Sequence, residues 1–129
     1  MVYILHMRHI QKLLAGPFCL TTAEIERIAP HKKSGVFALG ICDEKGTFIP
    51  RVVGISCNDV SHRLRESVEK TYTHFEMLYT DTAKEAFEEW CFIYHSYCGD
   101  GGKICTLEDR VHPQHPGEES WKCPICHIR

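Results

Sequence analysis

The chain has no stretch that approaches the ~18–20 consecutive apolar residues of a membrane-spanning helix, and no segment repeats at a fixed period. It also has little net charge, since 15 basic and 17 acidic side chains give a formal charge of -2. These absences argue against a helical membrane protein, a repeat protein and a uniformly basic nucleic-acid binder. Any phosphate-binding surface must therefore be a local patch, and no membrane partner is expected.

The cysteine content is too low for a disulfide scaffold. Eight cysteines in 129 residues are roughly 6%, below the ~8–10% that is typical of small disulfide-stabilised proteins. The first residues, MVYILHMRHIQKLL, contain no long apolar segment with a small-residue cleavage site, so we expect a cytoplasmic protein. In a reducing compartment, clustered cysteine and histidine side chains are more often metal ligands than disulfide partners.

The length and the 43% hydrophobic content allow one ordinary core. We expect three parts: an N-terminal segment, 1–30, that packs on the domain; a central domain, 31–98; and a loop-rich extension, 99–129. The extension is rich in glycine and proline and has too few apolar residues for a core of its own. Residues 1–15 have a mixed pattern, which indicates a short strand and a helical turn that end at Gly16-Pro17.

The central domain is predicted to begin with a β-hairpin, preceded by a short helix that starts near Thr22 and ends before Pro30. GVFALGIC and TFIPRVVGIS are rich in β-branched and aromatic residues, and the segment between them has turn chemistry. Pro50 is expected at an edge or a bulge of the second strand, because proline cannot donate a backbone hydrogen bond.

Two further helices and one strand complete the predicted fold. Asn58 or Asp59 caps a helix that continues to about Lys70, and a third strand spans 74–79. A last helix runs from Ala83, after a cap at Asp81 or Thr82, with a predicted buried stripe of Ala86, Trp90, Ile93 and Tyr97. The predicted fold class is α/β, with a small, mainly antiparallel three-stranded sheet flanked by helices and a zinc-stabilised C-terminal extension.

Four cysteine and histidine side chains have the spacing of a structural zinc site. Cys123 and Cys126 form a C-x2-C knuckle, and Cys91 and His95 are four residues apart, on one face of the last predicted helix. Such a Cys3His set suits tetrahedral Zn2+. Taken singly, Cys91 is more often a small buried apolar residue than a ligand, and His95 is more often a partly buried surface histidine. Alternative ligands within the same tail are Cys98, Cys105, His112, His115 and His127.

The predicted hairpin carries a family resemblance. Gly35-Val36-Phe37 and Val52-Val53-Gly54, followed by Arg63-Leu64, resemble the motifs of the GIY-YIG nuclease family in weakened form. The likeness covers roughly residues 30–97. The later sequences AFEEWCFIYH and HPQHPGEESWKCPIC are similar to small members of that family that carry Cys/His ligands.

The resemblance implies phosphodiester hydrolysis with Mg2+ or Mn2+. In that family a motif tyrosine helps to activate water, a helix arginine stabilises phosphate charge and a helix glutamate holds the cation. Arg63 matches the arginine, and Glu89 or Glu88 matches the glutamate. A fixed guanidinium and a carboxylate-bound cation are suitable groups for stabilising the charge of phosphoryl transfer.

Both motif tyrosines are replaced in this chain. Phe37 keeps the ring without the hydroxyl, Val52 has neither, and residues 38–51 make a longer hairpin than is usual for the family. Catalysis would need a metal-bound water acting alone or a substitute group, because neither replacement can transfer a proton. The candidates are His62 and His112 first, then Tyr72, His74 and Tyr79.

The sequence leaves three functions open. The first is a GIY-YIG-type endonuclease acting on nucleic acid, DNA in preference to RNA. The second is a catalytically degenerate, zinc-stabilised nucleic-acid-binding or accessory module. The third is a zinc-knuckle adaptor for another protein. A basic cluster around the hairpin is predicted to supply the local phosphate-binding face, and it comprises His31, Lys32, Lys33, Arg51, Arg63 and Arg65.

Overall fold

The computed structural model describes residues 14–29, 31–68, 71–97, 113 and 121–125. They form a small α/β fold of four strands and three helices. The elements in chain order are β1 (Ala15–Cys19), α1 (Thr22–Ile28), β2 (Ser34–Cys42), β3 (Phe48–Ser56), α2 (Val60–Glu66), β4 (His74–Thr80) and α3 (Ala83–Tyr97).

The sheet has four antiparallel strands in the order β1-β4-β2-β3, so the expectation of three strands was wrong. The additional strand, β1, pairs with β4 and places Phe18 opposite Phe75. Gly16 and Pro17 were expected to end the preceding segment, yet the strand runs through them. It can do so because β1 is an edge strand whose register shifts between Ala15 and Phe18. At this irregularity Pro17 does not need to donate a backbone hydrogen bond to β4.

The predicted hairpin is confirmed. β2 lies in the middle of the sheet and pairs with β3, which forms an edge. The register shifts where Gly40 faces Pro50, which leaves Arg51 as the extra residue of a bulge. In the connecting turn, Asp43 Oδ1 accepts hydrogen bonds from the backbone N–H groups of Lys45 and Thr47.

The second helix starts as predicted but is shorter. Asp59 caps α2, and its carboxylate accepts a hydrogen bond of 3.1 Å from the backbone N–H of His62. The helix was expected to reach about Lys70, whereas it ends at Glu66 with Ser67 as its C-cap. The hydroxyl of Ser67 donates to the carbonyl of Arg63 at 3.1 Å, a local bond that competes with continued helical pairing.

The sheet is covered on both faces. One core lies between the sheet and the α1–α2 layer, and its residues include Ile25, Phe37, Leu39, Leu64, Phe75 and Met77. The other lies between the sheet and α3, and its residues include Val36, Ile55, Ala86, Phe87, Cys91, Ile93 and Cys123. The predicted buried stripe on α3 is confirmed at Ala86 and Ile93. Trp90 is only partly buried, and the side chain of Tyr97 is not among those that the structure describes.

Within the described residues, no helix has the length and apolar character needed to cross a bilayer.

Candidate functional site

A groove of ≈ 640 Å³ opens along the edge strand β3. This volume lies within the ~300–1,000 Å³ that is usual for ligand sites. The hairpin forms its floor, and residues of α2, α3 and the loop before β4 form its walls. The lining includes Phe37, Val52 and Gly54 from the predicted motifs, together with Arg63, Tyr72 and Trp90.

The ring of Phe37 packs directly across Gly54. The two residues face each other in the β2–β3 pair, and a Cβ atom added to Gly54 would lie only 3.0 Å from Phe37 Cζ. Phe37 is 2% exposed. Since Cζ is the carbon that would bear a tyrosine hydroxyl, this motif position is occupied by a buried packing residue beneath the groove.

Gly35, the first residue of the first triplet, allows β2 to pack closely against β4. It faces Ser56 on β3, and an added Cβ would meet the carbonyl oxygen of Leu78 at 2.8 Å. Glycine is therefore needed here because the backbone of the neighbouring strand approaches closely.

The structure brings Arg63 to the motif strands. Its guanidinium carbon lies 5.6 Å from the centre of the Phe37 ring, and Nη1 donates a hydrogen bond of 3.1 Å to the carbonyl of Ile55. Among the described residues, Nη2 makes no hydrogen bond. Half of the side chain is exposed, so these contacts fix the guanidinium while leaving donors for an anion in the groove.

The cap of α2 determines where Arg63 is placed. Burial opposes ionisation of Asp59, but the backbone N–H groups of His62 and Lys32 hold the pKa of this carboxyl below its usual value. The backbone N–H of Val60 also donates to the carbonyl of Lys33 at 2.8 Å, which ties the first turn of the helix to the loop before β2. These bonds anchor the helix that carries the arginine.

His62 and Glu66 lie next to Arg63 on the exposed side of α2. His62 Nε2 is 3.6 Å from Glu66 Oε2, and the other carboxylate oxygen is 3.7 Å from Arg63 Nε. His62 does not itself line the groove in the part of the chain that is described. The predicted histidine therefore lies at the side of the site, 3.6 Å from a carboxylate that sequence reasoning did not single out.

Glu88 and Glu89, the predicted cation ligands, lie on α3, which packs on the opposite face of the sheet from α2. Neither is among the described residues that line the groove, whereas the next residue, Trp90, is. Among the described residues, Arg63 and the motif strands therefore line the groove, and neither glutamate does.

The remaining candidates for proton transfer are dispersed. Tyr72 lines the groove. His74 lies on β4 with Nδ1 2.8 Å from the hydroxyl of Thr73, and the ring of Tyr79 is 5.6 Å from the ammonium of Lys33. His112 lies outside the described residues.

The basic residues near the hairpin are interleaved with carboxylates. Glu26 is hydrogen-bonded by Arg65 and lies 3.2 Å from His31, and these two partners, Arg65 above all, lower its pKa. Lys33 Nζ lies 3.4 Å from Asp81. The predicted cluster is therefore not an uninterrupted positive face, and Arg63 is the one cation among the described lining residues.

The candidate zinc ligands lie at the α3 face of the molecule. Cys123 Sγ is 3.4 Å from His95 Nε2, and Cys91 is buried in the same apolar cluster as Cys123. No group of three such ligands is assembled within the described residues. Cys126 lies outside them, as do the alternatives Cys98, Cys105, His112, His115 and His127.

Sequence reasoning missed the polar rim of the groove and the position of Trp90. The rim is formed by Ser56, Cys57, Asn58 and Ser67. Ser56, Cys57 and Asn58 directly precede Asp59, the cap of α2. Their position between a motif strand and the helix that carries Arg63 was the sequence feature that could have indicated a place in the groove. Trp90 was predicted as core because helical periodicity does not distinguish a buried face from the wall of a groove.

Comparisons with protein-family models, curated proteins and solved structures find no match to this chain.

Proposed function

We propose that the chain is a nucleic-acid-binding module of GIY-YIG type, in which the groove along β3 holds a phosphodiester and Arg63 binds its charge. The observation that carries the proposal is the fixed position of Arg63. Its guanidinium lies over Phe37 and is hydrogen-bonded to Ile55 at the wall of a groove built from both motif strands. DNA is the first ligand to test, with RNA as the alternative.

The electrostatics of the groove favour an anion. Among the described residues that line the groove, Arg63 is the only cation, and none carries a carboxylate. A guanidinium already held by a carbonyl and a ring loses little freedom when it binds phosphate, and it presents donors in a fork that matches phosphate oxygens. Glu66 lies 3.7 Å away on the helix surface and balances part of the charge without entering the described lining.

The aromatic walls favour a nucleotide over inorganic phosphate. Tyr72 and Trp90 both line the groove and both keep part of their surface exposed. Bases stack on such rings whatever their identity, and each stacked base contributes about 1–3 kcal/mol. Stacking needs unpaired bases, so this geometry favours single-stranded or locally opened nucleic acid.

Phosphodiester hydrolysis is the second candidate. It is favoured by the position of His62 next to Arg63 and near the carboxylate of Glu66, because an imidazole beside a phosphate-binding group is a suitable general base. In this alternative Mg2+ or Mn2+ would supply further charge stabilisation, with Glu88 or Glu89 as the carboxylates that the resemblance implies.

One experiment separates these alternatives. Fluorescently labelled single-stranded and duplex DNA and RNA are incubated with the full chain, with and without Mg2+ or Mn2+. Anisotropy reports binding and gel electrophoresis reports cleavage. Binding without metal-dependent products supports the binding module. Cleavage that is lost in Arg63→Ala, His62→Ala and either Glu88→Gln or Glu89→Gln supports the nuclease.

Arg27→Ala is the matched control. Arg27 is an exposed helix arginine that forms an ion pair with Glu24 on α1 and does not line the groove. Loss of binding in Arg63→Ala, but not in Arg27→Ala, is expected. No binding of any tested nucleic acid by the folded wild-type chain would refute both candidates.

A further inference from the structure

Two metal-ligating side chains from distant parts of the sequence meet beside α3. His95 belongs to the last turns of that helix, and Cys123 belongs to the C-terminal knuckle, 28 residues later. From this meeting we propose that His95, Cys123 and Cys91 bind one structural Zn2+. The C-x2-C spacing assigns the fourth position to Cys126. This proposal does not depend on the function proposed for the groove.

The distance between the two ligand atoms fits a shared metal. Cys123 Sγ and His95 Nε2 are 3.4 Å apart. Two vertices of a tetrahedral site with Zn–S of about 2.3 Å and Zn–N of about 2.0–2.1 Å are about 3.6 Å apart. The sulfur and the nitrogen are therefore already at nearly the separation that one zinc ion would impose. A thiol-to-imidazole hydrogen bond has the same length, so the experiment must distinguish the two.

The knuckle backbone is arranged to support a thiolate. Pro124 and Ile125 form a turn, and the backbone N–H of Ile125 donates to Cys123 Sγ at 3.4 Å. A donor directed at sulfur stabilises its negative charge, which is the form of cysteine that binds zinc. A thiolate in a buried cluster also needs a positive partner, and the metal would supply it.

Cys91 is positioned to join the same ion. It lies one helical turn before His95, so the two residues share a face of α3. Cys91 and Cys123 are both fully buried and belong to the same apolar cluster. No group of three such ligands is assembled among the described residues, and Cys91 is placed in the site by the helix face that it shares with His95 and the cluster that it shares with Cys123.

The site would join the C-terminal extension to the domain. Trp121 packs on Phe87 of α3 with ring centres 5.9 Å apart, two residues before Cys123. Structural zinc contributes folding free energy directly, which suits a glycine- and proline-rich segment without its own core. The metal would thus fix this segment on the helix that also carries Trp90.

Metal content is the primary test. The full chain, purified without chelator or affinity metal, is analysed by plasma mass spectrometry, and one zinc per chain is expected. Cys123→Ser, His95→Asn, Cys91→Ser and Cys126→Ser should each lose most of it. Cys19→Ser and Cys57→Ser change exposed thiols away from the knuckle and are the matched controls, which should retain one zinc.

Cobalt substitution of the wild-type chain keeps the test valid if a ligand variant fails to fold. The zinc is removed with a chelator and replaced with Co2+. Tetrahedral cobalt bound by cysteine is expected to give visible ligand-field bands and a sulfur-to-cobalt charge-transfer band, and added Zn2+ should abolish both. A folded wild-type chain with no zinc and no such cobalt spectrum would overturn the proposal. So would full zinc content in Cys123→Ser or His95→Asn.

Discussion

The guanidinium of Arg63 lies 5.6 Å above the ring of Phe37, and the same ring covers Gly54 on the neighbouring strand. The arginine, the aromatic ring and the glycine thus form a stack that joins α2 to both strands of the hairpin. Phe37 and Arg63 are 26 residues apart in the sequence, and only the folded hairpin brings them together with Gly54. All three residues line the groove.

Gly54→Ala should disturb the packing of the Phe37 ring. The added Cβ would lie 3.0 Å from Phe37 Cζ, and a ring that is 2% exposed has little room to move. Overpacking of this kind costs about 1–3 kcal/mol, so we expect that loss in the free energy of unfolding, measured by urea denaturation. Val53→Ala, on the other face of the strand, is a control for the strand itself. A fully stable Gly54→Ala protein would show that the ring is not confined.

Asp59→Ala should weaken both the helix and the groove. Asp59 accepts the backbone N–H of His62 at the start of α2, and removal of such a cap costs about 0.5–2 kcal/mol. Since α2 carries Arg63, we also expect weaker DNA binding. Asp59→Asn keeps a capping oxygen and should restore most of the stability. Equal stability of the Ala and wild-type proteins would contradict the role of the cap.

The hairpin, the start of α2, β4 and α3 could be predicted because each is encoded locally. Alternating β-branched residues, an Asp at the N-cap and a fourfold apolar repeat act within a few residues. The strand β1 could not be predicted, because Gly16 and Pro17 indicate a break, and only pairing with β4 shows that the strand continues.

The candidate site divides in the same way. Arg63 was expected from the resemblance, in which it precedes Leu64, and the structure places its guanidinium at the motif strands. The roles of Phe37, Glu66 and Trp90 depend on which face of the sheet or helix meets the groove, and that is decided by tertiary packing. His95 and Cys123 were grouped by ligand spacing, which left several other cysteines and histidines open, and their contact is seen only in the fold.

Tyr72→Leu should weaken the binding of single-stranded DNA more than that of duplex. Tyr72 lines the groove, and loss of one stacking platform costs about 1–3 kcal/mol. Tyr79→Leu removes an exposed tyrosine that lies elsewhere, beside Lys33, and should leave affinity unchanged. Anisotropy titrations with both DNA forms provide the measurement. An equal loss in the two variants would show that the bases do not enter the groove.

Glu76→Gln should stabilise the protein at neutral pH. Burial raises the pKa of Glu76 above its ordinary value of 4.5, so the folded state binds this proton more tightly than the unfolded state. Its ionisation therefore removes stability as the pH rises through 4.5 to the folded-state pKa, and the glutamine variant escapes that loss.

Urea denaturation of wild type and Glu76→Gln at two pH values tests this effect of ionisation. One is pH 4, about half a unit below the ordinary carboxyl pKa of 4.5, and the other is pH 7, well above it. The advantage of the variant should be larger at pH 7. Glu44→Gln, in the exposed turn of the hairpin, controls for the change in net charge. A variant that is less stable than wild type at pH 7 would mean that the ionised carboxylate is stabilised by its surroundings.

The salt dependence of DNA binding by wild type and Arg63→Ala tests the central claim most directly. Each phosphate that a cation neutralises releases counterions, so removal of one contact should reduce the slope of log affinity against log salt by about 1. At low salt we expect Arg63→Ala to bind about tenfold to hundredfold more weakly than wild type, as for loss of a charged hydrogen bond. Arg27→Ala should match wild type in both respects. An Arg63→Ala protein with wild-type affinity and slope would contradict the assignment of the groove as the phosphate-binding site.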